Sequence, residues 1–234
     1  MYDLLIDDAI QLVRRNVDEQ SFNDSEMEAV DDNDSTAFEE LCKKLLPEAI
    51  NEIHSLAPIH LLNGVVAQES ELSSARITDD VLTFQIDAKV LRLVAFNASD
   101  SPVTLSDVVN EQSVEGRMQH NKYTRGTFDN PTLVLSQGSP SDGGDKSVFT
   151  YYSLRKPYPK PQTAIKHMEY IPFYSYLPDS TDTSYKVAKR VIVNIINQLT
   201  AKVLAVYNQK DKANYFFSIA GFANNDNIKK DENI

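Results

Sequence analysis

Residues 89–103 read KVLRLVAFNASDSPV, and the reading of this stretch decides the fold. Apolar side chains fill positions 90–96 apart from Arg92. In an extended strand successive side chains alternate between faces. Leu91, Leu93 and Ala95 then share one face, and Arg92, Val94 and Phe96 share the other. Arg92 has no acid, histidine or glycine loop beside it in the sequence. That places it on a polar strand face or at a subunit contact rather than in catalysis.

Working outward, ITDDVLTFQI alternates Val81, Thr83 and Gln85 against Leu82, Phe84 and Ile86, the pattern of a half-buried strand. Further strands are expected at PVTLSDVV, PTLVLSQ, SVFTYYSLRK and AIKHMEYIPFYSYL, with a hairpin loop at GSPSDGGD. On the N-terminal side, Leu5, Ile6, Ile10, Val13 and Val17 predict a helix over residues 2–17. An acidic loop over 18–34 separates it from a second helix, opened by a Thr36/Glu39 capping box and kinked or split at Pro47. Val187, Val191, Ile192, Ile195, Leu199, Val203, Val206 and Tyr207 predict one long helix over 182–209. A short helix at ANYFFSIAGFA precedes a polar tail.

These periods predict an α+β fold, with two N-terminal helices and a long C-terminal helix around a β-rich insertion. The expected division is residues 1–64 plus 181–209 as a helical subdomain and 65–180 as the insertion. Residues 210–234 would form the short helix and flexible tail. A chain of 234 residues, 41% hydrophobic and 24% charged, builds such cores without covalent staples. The single cysteine, Cys42, excludes an internal disulfide framework and fits a reducing compartment. No apolar run approaches the roughly 18 residues of a membrane helix. The opening MYDLLIDDAI is acidic where a secretion signal is basic, so a soluble protein not exported by that route is expected.

The net charge of −11 is concentrated: ten carboxylates and no basic side chain lie between Arg15 and Lys43. Such a surface disfavours tight binding along a nucleic-acid backbone and suits contact with DNA that must slide past. Catalytic and metal signals are weak. His54 and His60 do not have the i, i+4 spacing of a helical zinc pair. DDNDSTAFEELC lacks the glycine and glutamate of a calcium loop. Cys42 lies on an apolar stripe beside Glu39 and Glu40, the setting of a core residue rather than a nucleophile. The pair Asp79 and Asp80 reads as a turn. No Walker loop, dinucleotide fingerprint or nucleophile elbow occurs, and neither catalytic residues nor a cofactor is expected.

One locally basic segment, YYSLRKPYPKPQTAIKH at 151–167, interleaves tyrosines with cations. Single-stranded nucleic acid is one reading of it; a protein contact is the preferred one. Tyr151, Tyr152, Arg155, Lys156 and Tyr158 are the candidate contacts. Ile195, Leu199 and Val203 join them from the C-terminal stripe, with part of that stripe packing internally and its flank meeting neighbours.

The order of the blocks MYDLLIDDAIQLVRRNV, LPEAINEIHSLAP, VLRLVAFNAS and YTRGTFDNPTLVL with YYSL, followed by an amphipathic helix, resembles the head–tail connector or tail adaptor ring proteins of tailed bacteriophages. The similarity is greatest to those of crAss-like phages of Bacteroidales and spans most of residues 1–208. That family carries a tryptophan after the LRLV strand, where this chain has Ser101. The resemblance implies a non-enzymatic virion protein of the tail, assembled in the host bacterial cytoplasm, that forms a homo-dodecameric ring. Its implied partners are the portal protein and other tail rings, with packaged DNA passing without specific binding and no membrane involved. A cytoplasmic binding or regulatory module, and a hydrolase of unrecognised type, are the competing readings. Oligomeric mass separates the module from the ring, and a deep polar pocket would favour the hydrolase.

Overall fold

A computed structural model describes residues 1–21, 32–72, 74–137, 146–152, 154, 158–176 and 183–222. It is a mixed α+β structure. In chain order it has strand β1 (Tyr2–Leu5), helices α1 (Ile6–Ser21) and α2 (Asp32–Leu56), then β2 (Val65–Val66), β3 (Arg76–Thr78), β4 (Val81–Ile86) and β5 (Val90–Ala98). Next come β6 (Thr104–Leu105), β7 (Val109–Asn110), the one-turn helix α3 (Val114–Met118), β8 (Leu133–Gln137), β9 (Ser147–Tyr152) and β10 (Ile165–Pro172). The chain finishes with β11 (Ser184–Val187), α4 (Ile192–Val206) and α5 (Lys210–Ala220). Contacts divide it into two compact units, Met1–Leu62 with Tyr174–Ile234, and Asn63–Phe173.

In the first unit, α4 packs against α1, α2 and α5, and β1 pairs antiparallel with β11. The buried face of α2 carries Cys42, Leu46, Ala49, Ile50 and Ile53 at helical spacing. Two polar residues on this helix fasten incoming chain. The Asn51 amide donates to the Tyr174 carbonyl (2.7 Å) and accepts from the Tyr174 N–H (3.0 Å). One turn later, His54 Nε2 accepts the Ala188 N–H at 3.4 Å. Salt links hold the outer faces: Arg14 to Glu39 at 2.8 Å, and Lys202 to Glu52 at 2.8 Å.

Three expectations fail here. Residues 2–5 form a strand, because their backbone finds a partner in residues 184–187. The predicted helix over 182–209 is strand, 3₁₀ turn and then a helix of 15 residues, about 22 Å long. Val187 and Val191 are four apart and both buried, which mimics a helical stripe, but strand pairing decides their conformation. Helix α2 also begins before Thr36, and Pro47 does not split it.

Helix α4 stops at a Schellman-type end. Asn208 adopts φ 61°, Gln209 N–H reaches the Leu204 carbonyl (2.9 Å), and Asn208 N–H reaches that of Ala205 (3.1 Å). Asparagine tolerates this left-handed conformation better than most residues. The turn folds α5 back along α4, where Ala213 and Phe216 pack on Ala201 and Leu204.

In the second unit, a four-stranded sheet ordered β2-β10-β5-β6 and a five-stranded sheet ordered β3-β4-β9-β8-β7 share one core. Phe84 stacks on Phe96 and Phe149, with centroids 5.7 and 5.3 Å apart, and Tyr151 lies 5.4 Å from Phe96. Such pairs contribute roughly 0.5–1.5 kcal/mol each beyond burial of their area. Strand β4 alternates partly buried and buried residues over its whole length, as its sequence predicts. Strand β5 does not. Opposite β10, Glu169 pairs with Ala95 but Tyr170 pairs with Leu93; Ile171 pairs with Arg92 but Pro172 pairs with Val90. Each shift inserts one extra residue on β5, Val94 and Leu91, and each reverses the side-chain parity. Leu93 and Phe96 therefore reach the same core as Val90 and Ala98, which corrects the strict alternation expected for this stretch.

Candidate interaction surfaces

Most residues singled out for contact are occupied by internal packing. Tyr151 and Tyr152 lie on β9, which is paired on both sides by β4 and β8, and both are buried. Their rings are therefore core material rather than exposed contacts. Tyr158 is partly buried against the same core. Arg155 and Lys156 lie outside the described residues. Ile195, Leu199 and Val203 are fully buried on α4. Arg92 is half-buried on β5 opposite Ile171.

The titratable groups explain the chemistry available. Burial pushes the Cys42 thiol up to about 12, with Arg14 opposing and Glu39 assisting. Burial pushes His54 down to about 4, so its imidazole is neutral and accepts the Ala188 N–H. Burial also raises the phenol of Tyr151, opposed by Ser101 and assisted by Asp100, and raises that of Tyr158, with Asp100 adding to it. Tyr152 and Tyr170 shift upward for the same first reason. Each of these shifts favours the neutral form. That is the mark of desolvation; an activated thiolate or tyrosinate needs the opposite sign.

The remaining polar groups form local links. His120 lies 3.9 Å from Glu111, and His167 lies 3.7 Å from Glu169. Asp79, at φ 56°, makes the β3–β4 turn, and Asp80 pairs with Arg125 at 2.5 Å. No group of three or more histidine, cysteine, aspartate or glutamate side chains suited to a metal ion occurs among the described residues. No helix among them is long and apolar enough to cross a membrane.

Two surfaces stand out. The first is the α4–α5 hairpin, where Val193 (70% exposed), Tyr215 (53%) and Ile219 (41%) face outward with Phe217, Val206 and Tyr207. Tyr215 and Ile219 are one turn apart and share a helix face. The Asn194 side chain donates to the Ala220 carbonyl at 2.9 Å, bringing the start of α4 to the end of α5. The second surface is a groove of about 300 Å³ in the β-rich unit, running between Val66–Leu72 and Gln162–Met168. Sequence reasoning located neither surface residue by residue. Val206 and Tyr207 end the apolar stripe read from the sequence, but Val193 lies off it and Tyr215, Phe217 and Ile219 belong to α5. The groove arises from segments about a hundred residues apart. No protein-family model matches the chain, and no curated protein matches it.

Proposed function

We propose that this chain is a structural virion protein whose copies close into a ring joining the portal to the tail of a bacteriophage, around the DNA exit channel. The observation that carries this reading is the set of exposed apolar side chains on the α4–α5 hairpin, among them Val193, Tyr215 and Ile219. In a ring each copy meets two neighbours through two different patches, so apolar surface remains uncovered on the single chain. The resemblance over most of residues 1–208 supplies the class of assembly, twelve copies, and the portal and other tail rings as partners. In this reading the helical unit carries the subunit contacts, and the β-rich unit is an insertion in it. The acidic balance suits a channel wall past which DNA moves without sticking. The protein acts by assembly, without a catalytic step or cofactor.

Electron microscopy of the purified full-length chain tests this directly. Closed rings with a central opening are expected; particles of monomer size at every concentration would sink the reading. Charge reversal at Arg155 and Lys156 is expected to leave the chain folded and keep it out of particles. The groove in the β-rich unit favours a second reading, a cytoplasmic binding or regulatory module, which would remain small in solution.

A further inference from the structure

The groove combines an apolar floor with a cationic rim. Val66, Leu72, Ile165 and Met168 line it, Lys166 stands at its edge, and Lys160 lines the adjoining depression. Both lysines are exposed. Strand β2 pairs with β10 only at Glu169 and Tyr170, and one further bond runs from the Ala67 N–H to the Met168 carbonyl. Beyond Met168, β10 continues to Ile165 with no strand on that side among the described residues. An extended segment can therefore lie in the groove along this edge, as added strands do on open sheets.

The chain carries a segment of matching chemistry. Residues 22–31 read FNDSEMEAVD, with four carboxylates, no base, and Phe22, Met27 and Val30 interspersed. Laid out as a strand, Asp24, Glu26 and Glu28 fall on one face with Phe22 and Val30, while Met27 and Ala29 fall on the other with Ser25 and Asp31. Those three carboxylates then meet the lysine rim, and Met27 and Ala29 meet the floor. We propose that the groove of one copy binds residues 22–31 of a second copy. This head-to-tail contact deepens the ring reading by naming one of its two patches, and it can fail while that reading stands. Glu69, the one acid lining the groove, leaves the rim with a net positive balance of Lys160 and Lys166.

Cross-linking between two full-length variants tests it at pH 7.5 with a short bismaleimide. One carries Glu28→Cys and the other Thr163→Cys; Thr163 is exposed and lines the groove. Cys42, buried and protonated, gives little background. The expected result is a covalent heterodimer in several-fold higher yield than from Glu28→Cys mixed with Lys122→Cys, an exposed site elsewhere in the same unit. Adding Lys160→Glu and Lys166→Glu to the Thr163→Cys chain is expected to reduce the yield to that control level. A yield equal to the control, or one indifferent to charge reversal, overturns the proposal. So does a cross-link that forms only within a single chain carrying both cysteines. Protection of Thr163→Cys by an added oligonucleotide also overturns it, assigning the groove to nucleic acid. Rings that form without this cross-link remove only the groove contact. A cross-link in a chain that stops at dimers preserves the contact and removes the ring.

Discussion

The two units dispose of their apolar side chains in opposite ways. The β-rich unit folds its aromatics inward, so that Phe84, Phe96, Phe149 and Tyr151 are all fully buried against one another. The α4–α5 hairpin of the other unit buries Ala213, Phe216 and Ala220 and turns Tyr215, Phe217 and Ile219 outward. The first arrangement accounts for the stability of a single chain. The second leaves area that lowers free energy only when another surface covers it. The difference separates residues that fold the chain from residues that assemble it, and substitutions can test that separation.

The largest effect is expected in the aromatic core. Phe96→Ala removes a ring stacked between the sheets and should cost about 3–5 kcal/mol in urea denaturation of the full chain. A cost below about 1 kcal/mol would mean that the rings are not the unit's core. Next is His54, whose pKa is lowered from 6.5 when free to about 4 when buried. The unfolded chain takes up a proton that the folded chain refuses, so the stability associated with His54 is full above pH 6.5. It is lost as pH falls toward 4, by on the order of 3 kcal/mol. His54→Gln should flatten that part of the pH–stability curve relative to the parent; matching slopes would contradict the buried neutral imidazole. Asn51→Ala, which leaves the Tyr174 backbone groups without the amide, should cost about 1–3 kcal/mol. At the bottom of the scale, Tyr215→Ser with Ile219→Ser should cost the monomer about 1–2 kcal/mol and leave it folded, because both side chains are only about half covered by their own chain.

The contrast also shows which parts of the fold are legible in sequence. Val81–Ile86 reads correctly because nothing interrupts its pairing with Tyr152–Ser147, so period two in sequence becomes period two in burial. Val90–Ala98 misleads because two bulges, set by its partner β10, reverse the parity twice. Residues 2–5 and 184–187 mislead for a related reason: each is a strand only because the other lies about 180 positions away. Tyr151 and Tyr152 resemble contact residues by their basic, tyrosine-rich neighbourhood, yet their strand is central in its sheet. Ile195, Leu199 and Val203, named among the candidate contacts from the C-terminal stripe, are fully buried in the chain's own packing. The α5 side chains exposed beside them, Tyr215, Phe217 and Ile219, are not legible, because their placement depends on how Asn208 returns α5 along α4.

The central claim is that the α4–α5 flank is assembly surface. Sedimentation velocity of the full chain and of the Tyr215→Ser/Ile219→Ser variant, over the same concentration range, tests it most directly. The account predicts a large closed oligomer for the parent and a folded monomer for the variant. A variant that assembles as the parent does, or a parent that stays monomeric throughout, would contradict it.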